Sequence, residues 1–96
     1  MEIFFSESAL LDLEEIKKYY LEEGVPHIGE NFVTSIIEHT EALLVNPDIG
    51  RIVPEFQESS IRELIHPPFR IVYLREIGSI HVVRVWRSER LLKLEE

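Results

Sequence analysis

The sequence holds no cysteine, one methionine, one tryptophan and four glycines in 96 residues. Without cysteine there are no disulfides and no thiolate metal sites, a composition that suits a reducing compartment. No apolar run reaches the roughly 18 residues that cross a bilayer, and the opening MEIFFSES has no basic segment leading into a long apolar one. A cytoplasmic protein without membrane contact is therefore expected. There is no glycine-rich phosphate loop, so no nucleotide cofactor is implied. The serines have no nucleophile-elbow context and no paired His and Asp, which removes a hydrolase triad. His27, His39, His66 and His81 are dispersed, and no two stand at metal-ligand spacing along the chain, so neither a metal site nor any other cofactor is expected.

What the sequence does have is an ordinary globular balance, 45% hydrophobic and 29% charged. Ninety-six residues make one domain with a modest core. The net charge of −8 is unevenly distributed. Residues 1–50 carry eleven acids against Lys17 and Lys18, a net −9, whereas residues 51–96 carry eight bases against seven acids. The first half would repel phosphate; the second, where all the arginines lie, could approach an anionic partner.

Ile3-Phe4-Phe5 has strand character. Ser6 is placed to cap a helix, with Glu7 in its first turn where a carboxylate suits the helix dipole. Ala9, Leu10, Leu13 and Tyr20 recur at near-helical spacing, and Gly24 is a natural stop. Pro26 suits the start of a second helix. Its stripe of Phe32, Val33, Ile36, Ile37, Thr40, Leu43 and Leu44 runs until Asn46-Pro47 ends it. Helices joined this closely form an antiparallel hairpin that must bury one side. Asp48 to Ser60 lacks periodicity and is expected to be a loop.

Ile61 to His66 is rich in β-formers, and Pro67-Pro68 interrupts the ladder. Phe69 to Arg75 is a strand, Ile77-Gly78-Ser79 a turn, and Ile80 to Trp86 the returning strand. Leu91, Leu92 and Leu94 could form a last short element. The fold class is thus α+β: a two-helix hairpin on one face of a small antiparallel-rich sheet, in the order β-α-α-β-β-β. The other face would carry arginines outward. A two-residue turn at Ile77-Gly78 would set Arg70 opposite Val85, and a three-residue turn would set it opposite Trp86.

Several stretches together resemble the RelE/ParE superfamily of type II toxins, and most closely its ParE or plasmid-stabilisation branch. They are Phe5-Ser-Glu-Ser-Ala9 leading into a Leu-x-x-Ile helix, Asn46-Pro47 followed by Gly50-Arg51 and Pro54, Arg62-Glu63-Leu64, Phe69-Arg70-Ile71-Val72-Tyr73, and Arg84-Val85-Trp86. The similarity spans nearly the whole chain, and it rests on the ordered combination, since none of these stretches is specific alone. It implies a toxin neutralised by a cognate antitoxin, acting either as a gyrase inhibitor that poisons DNA gyrase by contact, or as a ribosome-dependent mRNA endoribonuclease. A toxin–antitoxin hetero-oligomer or a dimer would be the natural state, and an antitoxin-binding relic without toxicity is the third alternative.

The nuclease pattern of the superfamily uses two lysines, a strand arginine, a later arginine and a C-terminal tyrosine. The resemblance places the arginines on Arg70 and Arg90, but the lysine positions fall on Ile61 and Glu63, and no tyrosine follows Tyr73. The binding mode is therefore favoured, with no confident catalytic residue; Arg62, Arg87 or His66 could stand in were the protein a nuclease. The candidate target- or antitoxin-binding residues are Arg62, Arg70, Trp86, Arg87 and Arg90. Arg70 could equally pair with Glu63 across the sheet, and Trp86 is either a core cap or an interface anchor. Replacing Arg70 or Arg90 by alanine is expected to weaken toxicity while leaving the fold intact.

Overall fold

The structure is a computed structural model that describes residues 1–88. Arg90 and the leucines 91, 92 and 94 lie outside the described residues. The chain runs β1 (Glu2–Phe5), α1 (Glu7–Glu22), α2 (Pro26–Thr40), a 3₁₀ turn (Glu41–Leu44), β2 (Arg51–Ile52), β3 (Ile61–His66), β4 (Phe69–Glu76) and β5 (Ser79–Arg87). The five strands form one sheet in the order β1-β5-β4-β3-β2, with β1 parallel to β5 and every other pair antiparallel.

Helix α1 starts where Ser6 caps it, its hydroxyl accepting from the Ala9 N–H at 3.0 Å. The same hydroxyl donates to the Val83 carbonyl, so the cap also fixes α1 to β5. The helix ends at Gly24, whose φ of +81° is the left-handed conformation a closing residue needs. Pro26 then opens α2. Ala9, Leu13 and Ile16 of α1 and Ile36 of α2 meet Phe69, Ile71 and Tyr73 of β4 and Ile80, Val82 and Val85 of β5. Along β4 the period of two sends Phe69, Ile71 and Tyr73 to the helices and Arg70 and Val72 to the outer face.

Two features differ from the sequence expectation. The stretch from Asp48 to Ser60 is not entirely loop, because Arg51–Ile52 pair with Glu63 and Arg62 as a short edge strand. Two residues flanked by Gly50 and Pro54 give no alternation to read. Gly50 is required there. Its N–H donates to the Tyr73 hydroxyl at 3.1 Å, that hydroxyl donates to the Pro47 carbonyl at 2.8 Å, and a Cβ on Gly50 would fall 2.7 Å from the Tyr73 ring. Secondly, α2 gives way at Glu41 to a tighter 3₁₀ turn instead of running on to Asn46.

The register of the β4–β5 hairpin contains elements of both alternatives. The turn is the two-residue one, Glu76 pairing with Ser79, yet Arg70 faces Trp86. The ladder slips between Val72 and Tyr73, where Val83 is the extra residue of a β-bulge. The bulge re-aims everything after it, so that Arg84 and Trp86, and not Val83 and Val85, share the outer face with Arg70.

Candidate functional site: an arginine-rich face and the groove beside it

The outer face is organised by a four-member charge network. Arg70 donates from Nε to Glu63 Oε1 at 2.6 Å and from its two terminal nitrogens to the Glu55 carboxylate at 3.1 and 3.2 Å. Glu63 is also held by Arg51 Nε at 2.6 Å. Glu63 side-chain exposure is 0% and that of Arg70 only 2%, whereas Arg51 is more than half exposed. Two cations and two anions balance, which is the condition for holding such groups out of water.

Burial alone would lower the Arg70 pKa, but the hydrogen bonds it donates to Glu55 and Glu63 outweigh it and raise the value. The hydrogen bond from Arg70 holds the Glu55 carboxyl below its ordinary range. Arg70 therefore lies on the outer face without being open to solvent. The segment between β2 and β3 folds over it through Glu55, and Val53 at the start of that segment is buried.

Trp86 stands next to Arg70 in the cross-strand row that also contains Ile65. Its ring is flanked by the guanidinium carbons of Arg84 at 5.2 Å and Arg70 at 5.8 Å. Arg84 is fixed in turn by Asp12 of α1, which accepts from Arg84 Nε at 2.8 Å and Nη2 at 3.0 Å. Hydrogen bonding to Asp12 raises the Arg84 pKa. Asp12 also accepts from the Val85 N–H at 2.8 Å. That bond falls on the part of β5 which β1 does not reach, since β1 pairs only as far as Val82. Ser6 and Asp12 thus satisfy two backbone groups of a sheet edge left without a strand partner among the described residues.

Between this edge and α1 lies a groove of about 500 Å³, lined by Tyr19, Tyr20, Phe69, Arg84, Trp86 and Arg87 among others. The Arg87 guanidinium sits over the rings of Phe69 at 5.4 Å and Tyr19 at 5.9 Å. Aromatic walls with arginine planes beside a strand edge that has no strand partner among the described residues suit an extended or helical peptide.

The structure separates the five candidates named from sequence. Arg70 and Trp86 meet on the outer face, and Arg87, one residue on, points to the α1 side. Arg62 is distant from them, donating to the carbonyls of Ser59 and Gly50 and thereby tying down the β2 approach. Arg90 lies outside the described residues. His66 is drawn away from Arg70 and bonds to Ser35 and His39 on α2. Asp12 and Glu55 are not singled out for the site by sequence, and Arg84, part of the basic run with Arg87 and Arg90, and Tyr19 are not tied to them there. The pairing of Arg70 with Glu63 can be anticipated from sequence, but Glu55 joins it only through the folding of the segment between β2 and β3, and the others converge through the bulge and the helix packing.

Fold and site together define a small helical-hairpin-on-sheet protein with a groove walled by aromatic and arginine side chains and an ion-paired outer face. The family model for the ParE toxin of type II toxin–antitoxin systems, parDE, matches residues 3–92. The chain belongs to the ParE toxin family. Among solved structures it is similar to the chromosomal ParDE toxin–antitoxin system from P. aeruginosa, with a TM-score of 0.76 and 22% identity over 91% of this chain and 95% of that one. At that identity the likeness speaks for the fold. No curated protein matches the sequence. No helix among the described residues is long and apolar enough to cross a membrane.

Proposed function

We propose that this protein is a cytoplasmic toxin that acts by binding and poisoning DNA gyrase, without cleaving RNA, and that a cognate antitoxin neutralises it. The observation that carries this is the saturation of Arg70. Metal-free cleavage of RNA needs a cation free to meet the crowded phosphorane and groups to move protons on and off the ribose and leaving oxygens. Here the strand arginine is enclosed by Glu63 and Glu55. A phosphate arriving there would have to displace a carboxylate against the field of a second, wholly buried one. With Glu63 and Ile61 at the lysine positions, the acid–base set is missing as well.

The α1–β5 groove is the proposed seat for a protein partner, with Trp86 and Arg87 as anchors and Arg90 continuing the basic run. Arg62 and Arg70 act by holding the segment between β2 and β3 in place. Induction in cells tests the proposal. Gyrase poisoning gives DNA-damage signalling and filamentation with intact messages, accompanied by stabilised gyrase–DNA cleavage complexes in vitro. Rapid transcript loss at codon boundaries would overturn it in favour of the nuclease, and an absence of any effect in favour of a relic. Trp86→Ala and Arg87→Ala should fold, and should weaken antitoxin binding or toxicity at least tenfold, as expected for anchor residues.

A further inference from the structure

Away from both surfaces, three side chains from two elements line up in a way that neither the toxin function nor the core uses. His39 of α2 and His66 at the end of β3 point their Nδ1 atoms at each other across 2.8 Å. His66 Nε2 lies 3.0 Å from Ser35 Oγ, and that hydroxyl is also 3.0 Å from the Phe32 carbonyl. A serine has one proton. If it donates to Phe32, it must accept from His66, so His66 carries its proton on Nε2 and aims a lone pair at His39. The short Nδ1–Nδ1 contact is then a hydrogen bond only because His39 places its own proton in the gap. When His39 takes its other tautomer, two imidazole lone pairs converge on one point.

We propose that this point is a seat for a borderline transition-metal cation of the zinc class, bridging α2 to the turn between β3 and β4. Imidazole nitrogen suits zinc, copper and nickel, whereas magnesium and calcium want oxygen. Zinc–nitrogen bonds of about 2.0–2.1 Å at a tetrahedral angle separate the two nitrogens by roughly 3.3–3.4 Å. The rings therefore need to part by only about half an ångström, within reach of small side-chain rotations. Ser35 supplies what a metal-binding histidine normally has, an acceptor for the other ring N–H that fixes its tautomer and orientation.

No third His, Cys, Asp or Glu joins the pair among the described residues, so water fills the remaining positions. Both rings are only partly buried, which gives water and metal a way in. The other two histidines are arranged differently: His81 pairs with Glu76 and stacks on Phe4, and His27 lies in the first turn of α2, at the far end from His39.

The test is a zinc chloride titration of the full chain at neutral pH in a non-chelating buffer, read by imidazole NMR and by thermal melting, with magnesium chloride as control. One zinc per chain should bind with submillimolar affinity, shift the His39 and His66 ring nitrogens, and raise the melting temperature where magnesium does not. His39→Gln should abolish the response, His27→Gln should preserve it, and Ser35→Ala should weaken binding about tenfold or more. Zinc perturbing His27 or His81 instead, a response surviving His39→Gln, or no saturation below millimolar zinc would each overturn the proposal. Should His39→Gln fail to fold, the ring-nitrogen shifts of the unaltered protein still decide.

Discussion

Arg70 is the residue whose removal is most informative, because its neighbours turn a surface substitution into a core one. In Arg70→Ala the Glu55 carboxylate, about a third exposed, simply returns to water. Glu63 cannot, since its side chain is wholly buried and retains only Arg51 at 2.6 Å. Breaking a buried pair from one side costs about 3–5 kcal/mol, and the surviving Arg51 contact places this case near 3. Against a typical total of about 5–15 kcal/mol that is a large fraction.

For a domain of this size the loss corresponds to a fall in melting temperature of roughly 12–24 °C. The expectation that alanine at this position would leave the fold intact is thus reversed, because the side chain is paired and enclosed. Calorimetry on Arg70→Met, Glu63→Leu and the double variant completes the test. The double variant should recover much of the single-variant loss, since no buried charge is then left alone. A fall of less than about 5 °C for Arg70→Ala, worth under about 1 kcal/mol, would refute this account of the network. Reduced toxicity of any Arg70 variant has to be judged against that loss of folded protein.

Two further predictions concern the same frame. Because the Arg70 hydrogen bond depresses the Glu55 pKa below its ordinary value of 4.5, its stabilisation is present above that pH and is lost as pH falls through the folded-state value. Melting temperatures measured from pH 6 down to 3 should therefore drop less steeply for Glu55→Gln than for the unaltered chain, and identical slopes would contradict the pairing. Tyr73→Phe removes the hydroxyl that serves both the Gly50 N–H and the Pro47 carbonyl, so urea unfolding should report a loss of about 1–3 kcal/mol; burial holds that hydroxyl's pKa above its ordinary value, so it remains a donor to Pro47 at neutral pH.

Much of the architecture is written locally. Ser6, Gly24 and Pro26 bracket the helices by capping and backbone preference, and β4 and β5 announce themselves through runs of β-formers broken at Gly78. The order β-α-α-β-β-β and a helical hairpin on one sheet face follow from those signals, because a chain with one apolar side per element has few ways to bury it. Tertiary structure decided the rest. A single bulge at Val83 set which residues join Arg70 on the outer face, and no pattern along the strand reveals one extra residue.

Glu55 lies fifteen residues before Arg70, in a stretch without periodicity, and becomes its partner only because β2 and the Tyr73–Gly50 contact bring that stretch across the sheet. Asp12 reaches Arg84 and Val85 from the other end of the chain, and His39 of α2 finds His66 at the end of β3. Periodicity and capping reflect energies among near neighbours, which the sequence carries directly. The pairing of charges across the fold depends on distances that exist only once the core has closed.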